Sequence, residues 1–173
     1  SNAMRKAAFF DRDGTINVNT GHLYEPEKLV FIEGVPQLIR QFNEAGYLVI
    51  VVTNQAGIAK GYYTEVDMHH LHAVMNDRLK KEYGAHIDAF YFCPHHPDFT
   101  GPCHCRKPDT GMLEQAIRDY DIDPAKSVLF GDMPHDLECG RRMGIRSYDI
   151  NRFLSGALGT GMDLLKSIEV QDS

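Results

Sequence analysis

The chain has 173 residues, 43% hydrophobic and 24% charged, which is the size and balance of one soluble globular domain able to bury a core. A net charge of −6 without a lysine- or arginine-rich block argues against nucleic acid or an anionic membrane as the main partner, yet permits a locally positive pocket for a small anion. No apolar run reaches the length of a membrane span, and the N-terminus has no signal-peptide core.

Ser1-Asn2-Ala3 before Met4 reads as the remnant of a cleaved expression tag, leaving residues 4–173 as one expected domain. Residues 6–10 (KAAFF) predict a first strand, which runs into Asp11-Arg12-Asp13-Gly14-Thr15. Of two neighbouring carboxylates one can attack an electrophile while the other moves protons, and Mg²⁺ would relieve their repulsion. An Asp-rich turn with Asp13 as a cap is the plainer reading of the same residues. A polar, aromatic-bearing loop over 17–31 precedes a helix expected over 35–45.

The second strand, 47–52 (YLVIVV), ends in Thr53-Asn54-Gln55, whose hydroxyl, amides and following N–H groups suit either a phosphate oxygen or a polar turn. A Gly-rich loop over 56–63 then leads to a helix expected over 65–83. Leu71, Val74, Met75 and Leu79 give that helix its three-four spacing, and Thr64 is placed to cap it. A third strand is expected over 87–92, a helix over 112–120 and a fourth strand over 127–130. The fourth strand ends in Gly131-Asp132, and a helix over 135–143 follows. Asp136 there is either a metal-shell partner or an acidic residue favoured by the helix start. Cys139 reads as a small packed residue. A fifth strand over 145–150 and a short helix around LLKSI complete the chain.

Alternating strands and helices predict an α/β fold: a Rossmann-like parallel sheet with helices on both faces and ligands at the carboxyl ends of its strands. The loop over 93–108 adds a second chemistry. Cys93, His95, Cys103 and Cys105 follow the pattern C-x-H-x7-C-x-C, which suits a closed, structural tetrahedral zinc site. His96 and His104 compete with His95 for the imidazole position. Metal binding in preference to disulfides implies a reducing cytoplasm. A zinc staple would rigidify the loop and present Arg106, a bidentate fork, and Lys107, a point charge, to an anion; a solvated basic pair is the bland alternative.

Asp-x-Asp-Gly-Thr, strand-Thr-Asn, Lys-Pro and strand-Gly-Asp, in this order over residues 7 to about 150, resemble the four signatures of the haloacid dehalogenase superfamily. The resemblance implies that Asp11 is the nucleophile that becomes an aspartyl phosphate and that Asp13 is the acid and base. It implies that Thr53 and Lys107 hold the phosphoryl group, and that Asp11, the Asp13 carbonyl and Asp132 hold Mg²⁺. DRDGTIN, VVTNQAGIAKG, CPHHP, CxCRKP-x-x-GM and FGD are similar to the small capless group of D-glycero-D-manno-heptose-1,7-bisphosphate 7-phosphatases and histidinol-phosphate phosphatases. By that similarity Asn19, Thr20, Gly21, His22, Thr53, Asn54, Gln55 and Ala56 line the substrate, and Arg106 meets its distal part. CPHHP and GIAKGYYTE lean to the heptose enzymes. The seven-residue spacer between His95 and Cys103 leans the other way, and Met133 stands where a basic residue is common in the heptose group. The expectation is a monomeric phosphomonoesterase that removes the 7-phosphate of the heptose bisphosphate, with histidinol phosphate as the alternative substrate.

Overall fold

The computed structural model describes residues 4–172, so the expected tag remnant lies outside the described residues. Five strands, β1 (Ala7–Phe10), β2 (Leu48–Asn54), β3 (Ala89–Cys93), β4 (Val128–Gly131) and β5 (Arg146–Asp149), run parallel in the order β3-β2-β1-β4-β5. The helices are α1 (Val35–Glu44), α2 (Glu65–Arg78), α3 (Pro97–Thr100), α4 (Gly111–Tyr120), α5 (Pro134–Arg142), α6 (Ile150–Leu154) and α7 (Gly161–Asp172).

The central strands are apolar at successive positions because the two-residue pleat sends neighbours to opposite, equally covered faces. Ala8, Phe10, Val49, Val51 and Phe130 meet Leu38 and Phe42 of α1, Leu71 and Met75 of α2, and Leu165 and Ile168 of α7 in one core. Ala7, Phe9, Ile50, Val52 and Leu129 meet Met112, Leu113 and Ala116 of α4 and Cys139 of α5 in the other. The packed role expected of Cys139 is the one found; its thiol also donates to the Asp109 carbonyl at 3.2 Å. Among the described residues no helix is long and apolar enough to cross a membrane.

All five expected strands form, with shifted ends. β3 begins at Ala89 because the Asp88 side chain accepts the Val49 N–H at 2.8 Å, where a ladder carbonyl would otherwise sit. Thr64 caps α2 as expected: its hydroxyl accepts from Asp67 N at 3.1 Å, and the Asp67 carboxylate accepts from Thr64 N at 3.0 Å. The expected helix over 65–83 is α-helical only to Arg78 and then widens into a π-helical turn, Leu79–Tyr83. The tail holds more than a short LLKSI segment. α7 starts at Gly161 behind a second reciprocal cap between Thr160 and Asp163, and buries Leu164, Leu165 and Ile168.

From β1 the chain builds outward through β2 to β3, and the second half then returns to β4 on the opposite side of β1. The strand order therefore reverses between β1 and β4, and a crevice opens at their carboxyl ends. Asp11 and Asp132 follow those two ends directly.

Candidate active site

Asp11 is fixed by its place between the reversing strands, where its N–H donates to the Phe130 carbonyl at 2.9 Å. Beneath it lies the buried ammonium of Lys107, 2.8 Å from Asp11 Oδ1, 2.7 Å from Asp136 Oδ1 and 2.8 Å from the Val52 carbonyl. Asn54 clamps the lysine backbone: its Oδ1 accepts from Lys107 N at 3.0 Å and its Nδ2 donates to Lys107 O at 3.3 Å. Burial by itself would lower the pKa of Lys107, but Asp11 and Asp136 more than reverse this and hold it above its ordinary value.

The same floor gathers carboxylate oxygens of Asp11, Asp132 and Asp136 within 4.8 Å of one another. Burial pushes Asp11 up to about 8, opposed by Lys107 and reinforced by Asp136. Burial likewise raises Asp132. Three carboxylates against one ammonium leave uncompensated negative charge in a donor set made entirely of hard oxygens, which fits Mg²⁺. Asp136, open to two readings in the sequence, is the second anion of the lysine. Its other oxygen accepts from Asp132 N at 3.2 Å and Met133 N at 3.0 Å, which shapes the turn that presents Asp132.

Gly14 is required by the same geometry. Its φ is +84°, and a Cβ there would lie 2.2 Å from Asp132 Oδ2. Gly14→Ala is expected to displace Asp132, to lower catalytic turnover about 10-fold or more, and to cost at least ~1 kcal/mol of stability. Steady-state rates beside thermal melts would check it, and parent-like values in both would refute the close approach.

Asp13 is held from the opposite side. Its Oδ1 accepts from Arg12 Nη2 at 2.9 Å, Arg12 Nε at 3.2 Å and Asn17 Nδ2 at 2.9 Å, while Oδ2 receives a single longer bond, 3.3 Å, from Gln55 Nε2. Gln55 is oriented by the Tyr63 hydroxyl, which donates to its Oε1, and its amide also donates to Thr53 Oγ1 at 2.8 Å. Burial raises the Tyr63 phenol to about 12, so it remains a donor at neutral pH.

These groups open into a cleft of about 270 Å³ lined by Asp11, Asp13 and Asp132. Asn19, Gly21, His22, Asn54, Gln55, Ala56 and Arg106, all expected to line a substrate, line this cleft. Thr20, Thr53 and Lys107 are not among its lining residues; Thr53 and Lys107 are buried beneath it. Two loops form one wall: His22 packs on Tyr62 with ring centroids 4.5 Å apart, and Tyr24 stacks on Tyr63 at 5.5 Å. Gly57 allows that contact, since a Cβ there would meet the Tyr63 ring at 2.3 Å. Gly57, Tyr63 and His135 line the cleft too, and no motif in the sequence marks them for it, whereas Met133 lines it at the position where a basic residue is common in the heptose group. Short of a motif, Tyr63 carried a signal, an aromatic closing a Gly-rich loop.

Beyond Arg106 the sulfurs of Cys93, Cys103 and Cys105 converge within 4.8 Å. The sequence favours a metal over disulfides, whereas the structure joins Cys93 to Cys105 and leaves Cys103 free, 3.8 Å from Cys93 Sγ. Thiols gathered this closely need either a bond or a cation between them, and three soft donors fit zinc when reduced. The His95 ring is not part of the gathered group. Its two rivals are engaged elsewhere: His96 Nδ1 accepts from Asp98 N at 3.1 Å as the cap of α3, and His104 lies between Asp109 at 3.1 Å and Glu114 at 2.6 Å.

The family described as polynucleotide kinase 3 phosphatase matches residues 6–148. The chain is 42% identical over 147 residues to the D-glycero-beta-D-manno-heptose-1,7-bisphosphate 7-phosphatase of Haemophilus ducreyi, covering 83% of this chain and 81% of that one. It is 43% identical over 145 residues to the D-glycero-alpha-D-manno-heptose-1,7-bisphosphate 7-phosphatase of Burkholderia mallei, covering 81% and 76%. Among solved structures it is similar to the D,D-heptose 1,7-bisphosphate phosphatase of B. bronchiseptica complexed with magnesium and phosphate. That likeness has a TM-score of 0.79 at 28% identity and covers 97% of this chain and 99% of the other.

Proposed function

The chain belongs to the D-glycero-D-manno-heptose-1,7-bisphosphate 7-phosphatase family of haloacid dehalogenase-like phosphatases, and on that footing we propose that it removes the 7-phosphate of D-glycero-D-manno-heptose 1,7-bisphosphate through an aspartyl phosphate on Asp11. The observation that carries the mechanism is the division of the two carboxylates. Asp11 is set on Lys107 and Asp13 on Arg12, and both open into one cleft.

In the first half-reaction the Asp11 oxygen turned away from Lys107 attacks phosphorus, the bond from phosphorus to the sugar oxygen breaks, and Asp13 protonates the departing alkoxide. In the second, Asp13 takes a proton from water as the water oxygen attacks phosphorus, and the acyl phosphate bond opens to return Asp11. Lys107 offsets charge on Asp11 throughout, and Asn54 holds Lys107. Thr53 and Arg106 are assigned to the transferring and distal parts of the substrate. Mg²⁺, held by Asp11, Asp132 and the Asp13 carbonyl, would supply the positive charge that lets an anionic phosphate approach a carboxylate. Once reduced, Cys93, Cys103 and Cys105 would hold a structural zinc that fixes the loop bearing Arg106 and Lys107, and His95 would have to turn in to complete the set.

The substrate is a small phosphorylated molecule rather than nucleic acid, and residues 4–173 act as one monomeric cytoplasmic domain. Mg²⁺-dependent phosphate release tests the reading, with kcat/KM measured for the heptose bisphosphate and for L-histidinol phosphate. We expect at least a roughly 10-fold preference for the heptose bisphosphate, about 1.4 kcal/mol in the transition state. A preference for histidinol phosphate would overturn the substrate while leaving the Asp11 chemistry in place.

A further inference from the structure

Arg12 is fully buried, which is costly for a guanidinium unless its partners are matched to it. Among the described residues it has four polar contacts: Asp13 Oδ1 from two nitrogens, the Leu23 carbonyl at 3.1 Å and His72 Nε2 at 3.0 Å. A guanidinium has donors only, so His72 Nε2 must present a lone pair and the ring proton sits on Nδ1. His72 is buried and stacks on Phe90 with ring centroids 4.2 Å apart and planes 11° from parallel, so the acceptor itself is fixed. Among the described residues the only carboxylate that Arg12 touches is Asp13. The Leu23 carbonyl belongs to the loop whose His22 lines the cleft.

We propose that Arg12, seated on His72, is a positioning residue for the acid–base step. It occupies Asp13 Oδ1, leaves Oδ2 toward the cleft for proton transfer, and ties that carboxylate to the substrate-lining loop through Leu23. This rests on the reading of Asp13 as the acid and base. It adds the reason why one of two chemically equal oxygens carries the proton. A guanidinium present only to fill the core would make no difference between substrates that need a proton on departure and substrates that do not.

The test exploits leaving groups. An aryl phosphate such as p-nitrophenyl phosphate releases a stable phenolate and needs little protonation, whereas an alkyl phosphate needs the acid. The kcat/KM of the Mg²⁺-loaded protein, which reports the steps up to departure of the leaving group, is compared on p-nitrophenyl phosphate and on whichever of the heptose bisphosphate or histidinol phosphate the parent prefers. For Arg12→Met we expect kcat/KM on the alkyl substrate to fall about 100-fold and on the aryl substrate less than about 10-fold, with Arg12→Lys between parent and Arg12→Met. Equal losses on both substrates would overturn the proposal and leave Arg12 a structural cation.

Asp13→Asn separates the two layers. If its kcat/KM shows no leaving-group bias, the reading of Asp13 as the acid fails. If it shows the bias and the Arg12 variants do not, only the positioning role fails. Should the Arg12 variants not fold, His72→Leu keeps Arg12 and removes its acceptor. The same bias, about 3- to 10-fold, is expected there, and its absence would overturn the proposal.

Discussion

Asp11→Asn is expected to lower phosphate release by about 10⁴-fold or more and, at the same time, to raise the thermal midpoint. The first effect follows from the proposed chemistry, since an amide oxygen cannot form and return an aspartyl phosphate. The second follows from the floor of the cleft, where Asp11 and Asp136 share one ammonium and Asp132 lies within 4.8 Å of both carboxylates. Burial raises Asp11 from 3.8 to about 8, so between those values the folded chain binds a proton that the unfolded chain has released. The Asp11 contribution to metal-free stability therefore falls as pH rises from about 4 to 8. Melts of the chelated protein across that range should slope downward, and Asp11→Asn should flatten the slope and gain a few kcal/mol near neutrality. Added Mg²⁺ should stabilise the parent more than the variant. Parent-like turnover in Asp11→Asn would remove the nucleophile assignment. A lower midpoint would mean that the charged carboxylate stabilises the fold on balance.

Why Asp11, Asp13 and Asp132 were legible in the sequence, and Arg12 and Asp136 were not, comes down to range. A carboxylate at the end of an apolar strand is placed by the strand itself, because a parallel sheet delivers all its carboxyl ends to one edge. Which way Arg12 turns depends on His72 and Leu23, which reach it only when α2 and the first long loop pack. The meaning of Asp136 depends on Lys107, brought from the loop before α4. The cysteine spacing announced a cluster, but spacing is equally compatible with a metal and with a bond between two of the sulfurs. Thr160 and Asp163, by contrast, carried a readable capping pattern for α7 that local inspection could have used.

Lys107→Met should be the most destabilising of these substitutions, although the methionine can occupy much of the volume of the lysine stem. Removing the ammonium strands Asp11 and Asp136, two buried carboxylates that each meet it within 2.8 Å, and also frees the Val52 carbonyl. Breaking a buried pair from one side costs about 3–5 kcal/mol, here a fall of about 10 °C in Tm. Turnover should drop by at least ~10²-fold, since the charge on Asp11 loses its fixed counterion. The decisive comparison is Lys107→Met with Asp11→Asn added. If the lysine acts by neutralising the carboxylates, the second substitution removes part of the stranded charge, and Asp11→Asn raises the midpoint more in the Lys107→Met background than in the parent. Strictly additive single effects would show that Lys107 supports the fold through its stem and its Val52 bond instead. The double variant should remain inactive in either case, so stability is the readout that separates them.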